Sequence, residues 1–194
     1  MYNDYYHSDN YLYPYLTNQF QYRSPFTGQF NNSHNSFNNQ LDNGSNFDVR
    51  KTGSIRLKDY GNQPLAVDID ELTEQNNNFR TALWTGNHLQ VTLMNINIGD
   101  DIGLEIHTDT DQFLKVEEGE GLVRMGNNRD IVDFQARISD DSAIIVPSGT
   151  WHNIINTGNK PLKLYSIYSP PEHPFGTVHR TKAEAQASER NSYY

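Results

Sequence analysis

The chain has 194 residues and a formal net charge of −9, and it contains no cysteine. That length accommodates one domain of ordinary size with extensions, because domains commonly run to roughly 100–150 residues. The negative charge and the lack of a Lys/Arg cluster argue against a nucleic-acid partner. No apolar run approaches the roughly 20 residues that a membrane span needs, so we expect a cytoplasmic protein with no membrane span. Without cysteine, any metal must bind nitrogen and oxygen ligands.

The first 50 residues differ in composition from the rest of the chain. They are rich in Asn, Tyr, Phe, Gln and Ser, and their basic side chains are Arg23 and Arg50. Such a segment buries too little apolar surface to offset the entropy of ordering, which predicts a low-complexity, disordered extension over residues 1–50. Aromatic residues among polar amides are also typical of segments that self-associate. Anchoring in an assembly, such as a spore coat or surface layer, is therefore the second interpretation.

Globular composition begins beyond residue 50. Residues 51–78 form a lead-in with one predicted short helix at 66–75, for which Asp68 is the candidate N-cap. Short strands separated by Gly, Asn, Asp and Pro follow, and no helix is available for parallel crossovers, so the pattern predicts an all-β antiparallel sandwich or barrel over residues 79–180. A polar helix is predicted at 181–190, within the tail 181–194. The predicted strands are 79–84, 89–98, 104–107, 112–117, 121–125, 143–146, 153–156 and 162–168.

Polar side chains that suit a metal site lie in two separate segments. Glu105 and His107 are two residues apart on a predicted strand and therefore point to the same face. Gln112 begins the returning strand with the parity of its apolar residues, which places it on the inward face. His152 opens a later strand, after a turn containing Pro and Gly. These four side chains are therefore candidates to converge.

Both segments resemble the paired sequence motifs of the cupin superfamily. The family's first motif, G-x5-H-x-H-x4-E-x6-G, is matched in spacing from Gly99 to Gly119. Its second, G-x5-P-x-G-x2-H-x3-N, is matched from Asp141, which replaces the leading glycine, to Asn156. The two matches together are specific, whereas either alone would be weak. The resemblance is to small single-domain, mannose-6-phosphate-isomerase-like cupins, and it implies a double-stranded β-helix (jelly-roll) barrel; we also expect a homodimer.

The resemblance further implies a divalent metal site on Glu105, His107, Gln112 and His152. The chain departs from the family at two of these positions, with Glu105 in place of the usual His and Gln112 in place of the usual Glu. The resulting mixture of nitrogen and oxygen ligands suits Mn²⁺, Fe²⁺, Co²⁺, Ni²⁺ or Zn²⁺. The alternative is a site that has lost its metal, in which these side chains form a hydrogen-bonded network or contact a ligand directly.

Three further residues, Tyr168, Arg80 and His173, are candidates for a pocket that binds a small-molecule ligand in the barrel. Tyr168 has inward parity, which could bring its hydroxyl near a ligand, but packing in the core is the favoured interpretation. Among side chains predicted to face inward, Arg80 and Arg124 are the candidate cations for a phosphate group. His173 belongs to a Pro-rich segment, residues 170–179, which either closes a cavity mouth or is a plain surface connection.

Two classes of function follow from these residues. A metal on two imidazoles and one carboxylate leaves open positions, which admits dioxygenase-like chemistry or sugar-isomerase-like chemistry by polarising a carbonyl or hydroxyl group. Sugar-phosphate isomerisation also needs a base outside the metal ligands, and the sequence designates no catalytic residue. The second class is a structural protein that self-associates through residues 1–50.

Overall fold

The computed structural model of this protein describes residues 56–191, with side chains as far as Glu189. The predicted N-terminal extension, residues 1–50, lies outside this range. Of the helices within it, none is long and apolar enough to cross a bilayer.

Within residues 56–191, nine short strands form two antiparallel sheets. A six-stranded sheet has the order β6-β3-β8-β2-β1-β9, and a three-stranded sheet has the order β5-β4-β7. The predicted all-β class is confirmed. The elements in chain order are α1 (Ile69–Gln75), β1 (Arg80–Thr85), β2 (Gln90–Ile96), β3 (Asp111–Glu118), β4 (Glu120–Gly126), β5 (Phe134–Ser139), β6 (Ala143–Val146), β7 (Trp151–Asn156), β8 (Leu162–Ser169), β9 (Val178–His179) and α2 (Lys182–Asn191).

Side-chain alternation along the strands builds one core between the two sheets. On β7, His152, Ile154 and Asn156 are buried, whereas the residues between them are partly exposed. Leu114 of β3 and Ile154 are both fully buried in the same cluster. Burying a Leu or Ile side chain contributes about 1.5–3 kcal/mol, so this interior holds the two sheets together and fixes which side chains point inward.

The predicted short helix is present and covers the opposite face of the larger sheet. The carboxylate of Asp68 accepts a hydrogen bond from the backbone N–H of Glu71 at 3.2 Å, which confirms the predicted N-cap. Leu72 of α1 packs in a second cluster with Leu83 and Leu93. Because Leu93 belongs to this cluster and its neighbour Met94 to the core between the sheets, the two faces of β2 serve different layers.

The structure departs from the sequence prediction in three segments. Residues 104–107 do not form a strand, because this region pairs with β7 only through single bridges at Asp101 and Glu105. Gly103 lies between these bridges with a φ of +92°, which interrupts extended pairing. Strand β5 was not predicted because most of its side chains are exposed, and β9 was missed because it spans two residues.

Candidate functional site

Backbone pairing brings the two motif segments together. The N–H of Glu105 donates to the carbonyl of His152 at 3.0 Å, and the N–H of His152 donates back to the carbonyl of Glu105 at 2.9 Å. The carbonyl of His107 accepts from the N–H of Gly149 at 2.7 Å. Gly149 has a φ of +75°, a conformation that glycine adopts without steric cost, so the turn before β7 depends on it.

The side chains of Glu105, His107 and His152 meet at one point. Glu105 Oε1 lies 3.5 Å from His107 Nε2 and 3.3 Å from His152 Nε2. All three candidate ligand atoms are within 4.8 Å of one another. The histidine side chains are 8% and 0% exposed, and Glu105 is 18% exposed. Both Nε2 atoms are buried without a partner in hydrogen-bond geometry among residues 56–189.

The outer nitrogen of each imidazole ring faces an oxygen. His152 Nδ1 lies 3.0 Å from the carbonyl oxygen of Thr150, and His107 Nδ1 lies 3.1 Å from Glu172 Oε1. A carbonyl or carboxylate oxygen only accepts, so in each neutral ring the proton is assigned to Nδ1. The lone pair of each Nε2 is then directed toward Glu105.

Gln112 faces the same interior from β3, as its parity predicts. Its side chain is 2% exposed, and Gln112 lies opposite Tyr168 in the backbone register of β3 and β8. The amide nitrogen donates to Ser166 Oγ at 2.9 Å, and the amide oxygen is buried without a hydrogen-bond partner in the described part of the chain. The amide oxygen is therefore the atom left free to accept a hydrogen bond or to bind a cation.

The pKa values of Glu105 and His107 reflect this clustering. Burial alone would raise the pKa of Glu105, but its close contacts with the His107 and His152 rings and the charge of Arg80 hold that pKa well below its usual value. Burial would lower the pKa of His107, but its contacts with Glu105 and Glu172 raise that pKa to about 9. Without a metal, a proton on His107 therefore balances the carboxylates around it.

Tyr168 lies in the core next to the candidate site. Its side chain is fully buried, as expected for core packing. Its ring also lies edge-on to His107, with centroids 5.6 Å apart, and to His173, with centroids 5.2 Å apart. Core packing of Tyr168 is therefore observed, and its role toward a ligand stays a prediction.

Arg80 lies close to the site, whereas Arg124 does not face it. Arg80 is 1% exposed, and its guanidinium Nη1 lies 3.5 Å from Glu189 Oε1 of α2. Its charge contributes to lowering the pKa of Glu105. Val123, the neighbour of Arg124 on β4, belongs to the core between the sheets, so alternation directs Arg124 to the other face.

The segment 170–179 folds back over the site. The N–H of His173 donates to Gln90 Oε1 at 2.9 Å, and its carbonyl accepts from Gln90 Nε2 at 2.8 Å. The Nε2 atom of His173 is buried without a hydrogen-bond partner in the described structure. Burial, together with the charge of Arg80, lowers the pKa of His173 to about 2, which keeps the ring neutral.

A cavity of about 600 Å³ opens above Glu105 and His107. Because His173, Pro174 and His179 line it, the segment 170–179 forms a cavity wall rather than a plain surface connection. The C-terminal helix α2 contributes Ser188 and Glu189. The remaining lining residues are Leu104, Ile106, Arg129, Trp151 and Glu172.

Sequence reasoning missed two residues next to the site, Glu172 and Gln90. Glu172 lies in a Pro-rich stretch, where a carboxylate is ordinarily a solvated loop residue. Gln90 begins β2, and its position indicates only an ordinary polar residue of a strand. Their roles depend on the return of residues 170–179 to the barrel, a long-range contact that leaves no local signal.

Comparison with known proteins identifies the family. Residues 92–168 match the family described as Cupin domain. The uncharacterized protein YrkC of Bacillus subtilis is 65% identical over 136 residues, covering 70% of this chain and 73% of that protein. The uncharacterized protein L612 of Acanthamoeba polyphaga mimivirus is 37% identical over 140 residues, covering 69% of this chain and 86% of that protein.

A solved structure supports the same assignment. The crystal structure of BH2720 from Bacillus halodurans is similar with a TM-score of 0.67 and 62% identity, covering 67% of this chain and 98% of that one. The mannose-6-phosphate-isomerase-like subtype stays a prediction. With the paired motifs folded into two antiparallel sheets around one core, the chain belongs to the cupin superfamily.

Proposed function

We propose that this protein binds a divalent transition-metal ion on Glu105, His107, Gln112 and His152, and that it holds a small-molecule ligand in the adjoining cavity. The observation that carries the proposal is the convergence of two buried, unpartnered imidazole Nε2 atoms on one carboxylate oxygen. Leaving polar atoms buried and unpaired costs about 1–3 kcal/mol each, and a bound cation would remove that cost.

The spacing of the ligand atoms fits a metal ion. Zinc and similar ions bind nitrogen and oxygen at about 2.0–2.2 Å, which places neighbouring ligand atoms about 3.0–3.5 Å apart. The 3.3 Å and 3.5 Å separations from Glu105 Oε1 lie in that range. The alternative of a hydrogen-bonded network without metal is less well supported, because its central atoms, the two imidazole Nε2 atoms and Gln112 Oε1, lack hydrogen-bond partners among the described residues.

The surrounding residues suit a small polar ligand. A bound divalent ion would supply a Lewis acid that polarises a ligand oxygen. His173 presents a neutral imidazole to the cavity, and Arg80 adds a buried positive charge nearby. Both sugar-isomerase-like and dioxygenase-like chemistry use such an arrangement, and we propose these two reaction classes for screening. No residue is assigned as the catalytic base.

Elemental analysis of the full-length protein tests the metal site. We expect near-stoichiometric metal in the purified parent and none in a His107→Ala, His152→Ala double variant that remains folded by circular dichroism. His88→Ala is the matched control, because His88 is an exposed histidine and does not line the cavity. A parent that stays free of metal after reconstitution with Mn²⁺, Fe²⁺, Co²⁺, Ni²⁺ and Zn²⁺ would refute the proposal.

The composition of residues 1–50 favours a second role, assembly through the N-terminal extension, as in a spore coat or surface layer. Sedimentation velocity of the full chain and of a variant that lacks residues 1–50 tests this role. We expect the truncated protein to lose higher-order association while it keeps its metal content. Equal association of both forms would refute a role for the extension. Any association would then be due to the barrel itself, as in the expected homodimer.

A further inference from the structure

The two imidazoles of the candidate metal site obtain their orientation from different sources. His152 Nδ1 faces the backbone carbonyl of Thr150, two residues away on the same turn. His107 Nδ1 faces the side chain of Glu172, which belongs to the separate segment 170–179. The orientation of one candidate ligand is thus set locally, whereas that of the other depends on a carboxylate from a distant part of the chain.

The contact with Glu172 determines what His107 can present to the centre. A carboxylate accepts hydrogen bonds and cannot donate one when ionised, so it favours the proton on Nδ1 of His107. In the neutral ring, which is the form that binds a metal, the proton is on Nδ1 and the lone pair on Nε2 points toward Glu105, 3.5 Å away. A carboxylate partner also makes an imidazole more basic and a stronger metal ligand.

The segment that carries Glu172 is held by buried hydrogen bonds. Gln90 is fully buried and pairs with both backbone groups of His173, the residue after Glu172. Gln90 Nε2 also donates to Thr85 Oγ1 at 2.9 Å, and Thr85 donates to Asp59 Oδ2 at 2.6 Å. The same Asp59 oxygen accepts from the N–H of Gly176 at 2.9 Å, so the segment is held at His173 and again at Gly176.

We propose that Glu172 is a positioning residue of the metal site: it accepts a hydrogen bond from the Nδ1–H of His107, fixes the ring, and thereby raises the affinity of Nε2 for the metal. This inference rests on the proposed function. The segment 170–179 would then belong to the site. Replacing Glu172 should lower the affinity of the site for the metal ion while all four candidate ligands stay in place.

Three variants test the role of Glu172 in the full-length protein. Glu172→Ala removes the acceptor, and Glu172→Gln keeps a neutral acceptor oxygen. Glu118→Gln is the matched control, because the Glu118 side chain is also 30% exposed but pairs with Lys160 on the surface. Zn²⁺ and Co²⁺ dissociation constants are measured by competition with a chelator. We expect binding about 10–100-fold weaker in Glu172→Ala, partial recovery in Glu172→Gln, and no change in the control.

A second measurement keeps this inference separate from the metal proposal. In ¹⁵N-edited NMR of the metal-free protein, the Nδ1 proton of His107 should give a downfield, slowly exchanging signal that Glu172→Ala abolishes and Glu172→Gln shifts. If the parent binds no metal but shows this signal, the proposed function fails while the positioning contact stands. If Glu172→Ala retains both the parent's signal and its dissociation constants, the inference is overturned.

Discussion

Replacing Gln90 with leucine tests whether one buried amide holds the segment over the cavity. Leucine has a similar volume but cannot hydrogen-bond, so the N–H and carbonyl of His173 would lose partners at 2.9 Å and 2.8 Å. An unsatisfied buried group costs about 1–3 kcal/mol. Because the backbone of His173 is only partly buried, water can replace some of what is lost, and we expect destabilisation of about 2–4 kcal/mol.

Urea denaturation followed by circular dichroism measures this change, with Gln135→Leu as the control. Gln135 is exposed on β5, so its replacement should change the free energy of unfolding by no more than about 0.5 kcal/mol. Gln90→Leu should also weaken Zn²⁺ binding, because the segment that carries Glu172 would no longer be fixed. A loss below about 0.5 kcal/mol in Gln90→Leu, with unchanged Zn²⁺ affinity, would refute the reasoning.

Three further outcomes follow from the structure. The contacts of His107 raise its pKa to about 9 despite its burial, so protonation of this ring stabilises the metal-free protein, fully so below the unfolded pKa of histidine. About 3 kcal/mol of the free energy of unfolding should be lost as the pH rises from there through 9. Urea midpoints that stay level from pH 7 to 10 would contradict this prediction. Zn²⁺ at 100 times its dissociation constant should stabilise the parent by about 2.7 kcal/mol in a thermal shift assay but not His152→Ala, and equal shifts in both would place the ion elsewhere. Leu114→Ala, in the core between the sheets, should cost about 2–5 kcal/mol in urea denaturation, whereas a smaller loss would show that the core collapses around the vacancy.

The parts of the fold that follow from local chemistry could be predicted from the sequence. The alternation of His152, Ile154 and Asn156 fixes the inward face of β7, and Asp68 begins α1 as an N-cap. The strand predicted at 104–107 was wrong because the positive φ of Gly103 depends on how this region meets β7. A glycine in the sequence permits that conformation without revealing it.

The candidate site, like the fold, could be predicted only in part. The convergence of Glu105, His107 and His152 follows from motif spacing, and the structure brings these three residues together. Glu172 and Gln90 could not be predicted, because their contacts join residues that are 65 and 83 positions apart from their partners. Residues that act by holding other groups in place belong to no sequence motif that would reveal them.

The two departures from the family motif are best understood as one coupled change. The family pattern has a histidine at the position of Glu105 and a glutamate at the position of Gln112, so this chain keeps one carboxylate among the four candidate ligands but moves it. A carboxylate at both positions would bring two negative charges into an interior that already holds Glu172 beside His107. Gln112 avoids that repulsion, and its amide nitrogen uses the hydroxyl of Ser166 as an acceptor, an interaction that an ionised glutamate could not donate. The proposed site therefore keeps the charge of the family's ligand set, with Gln112 accommodating the carboxylate of Glu105.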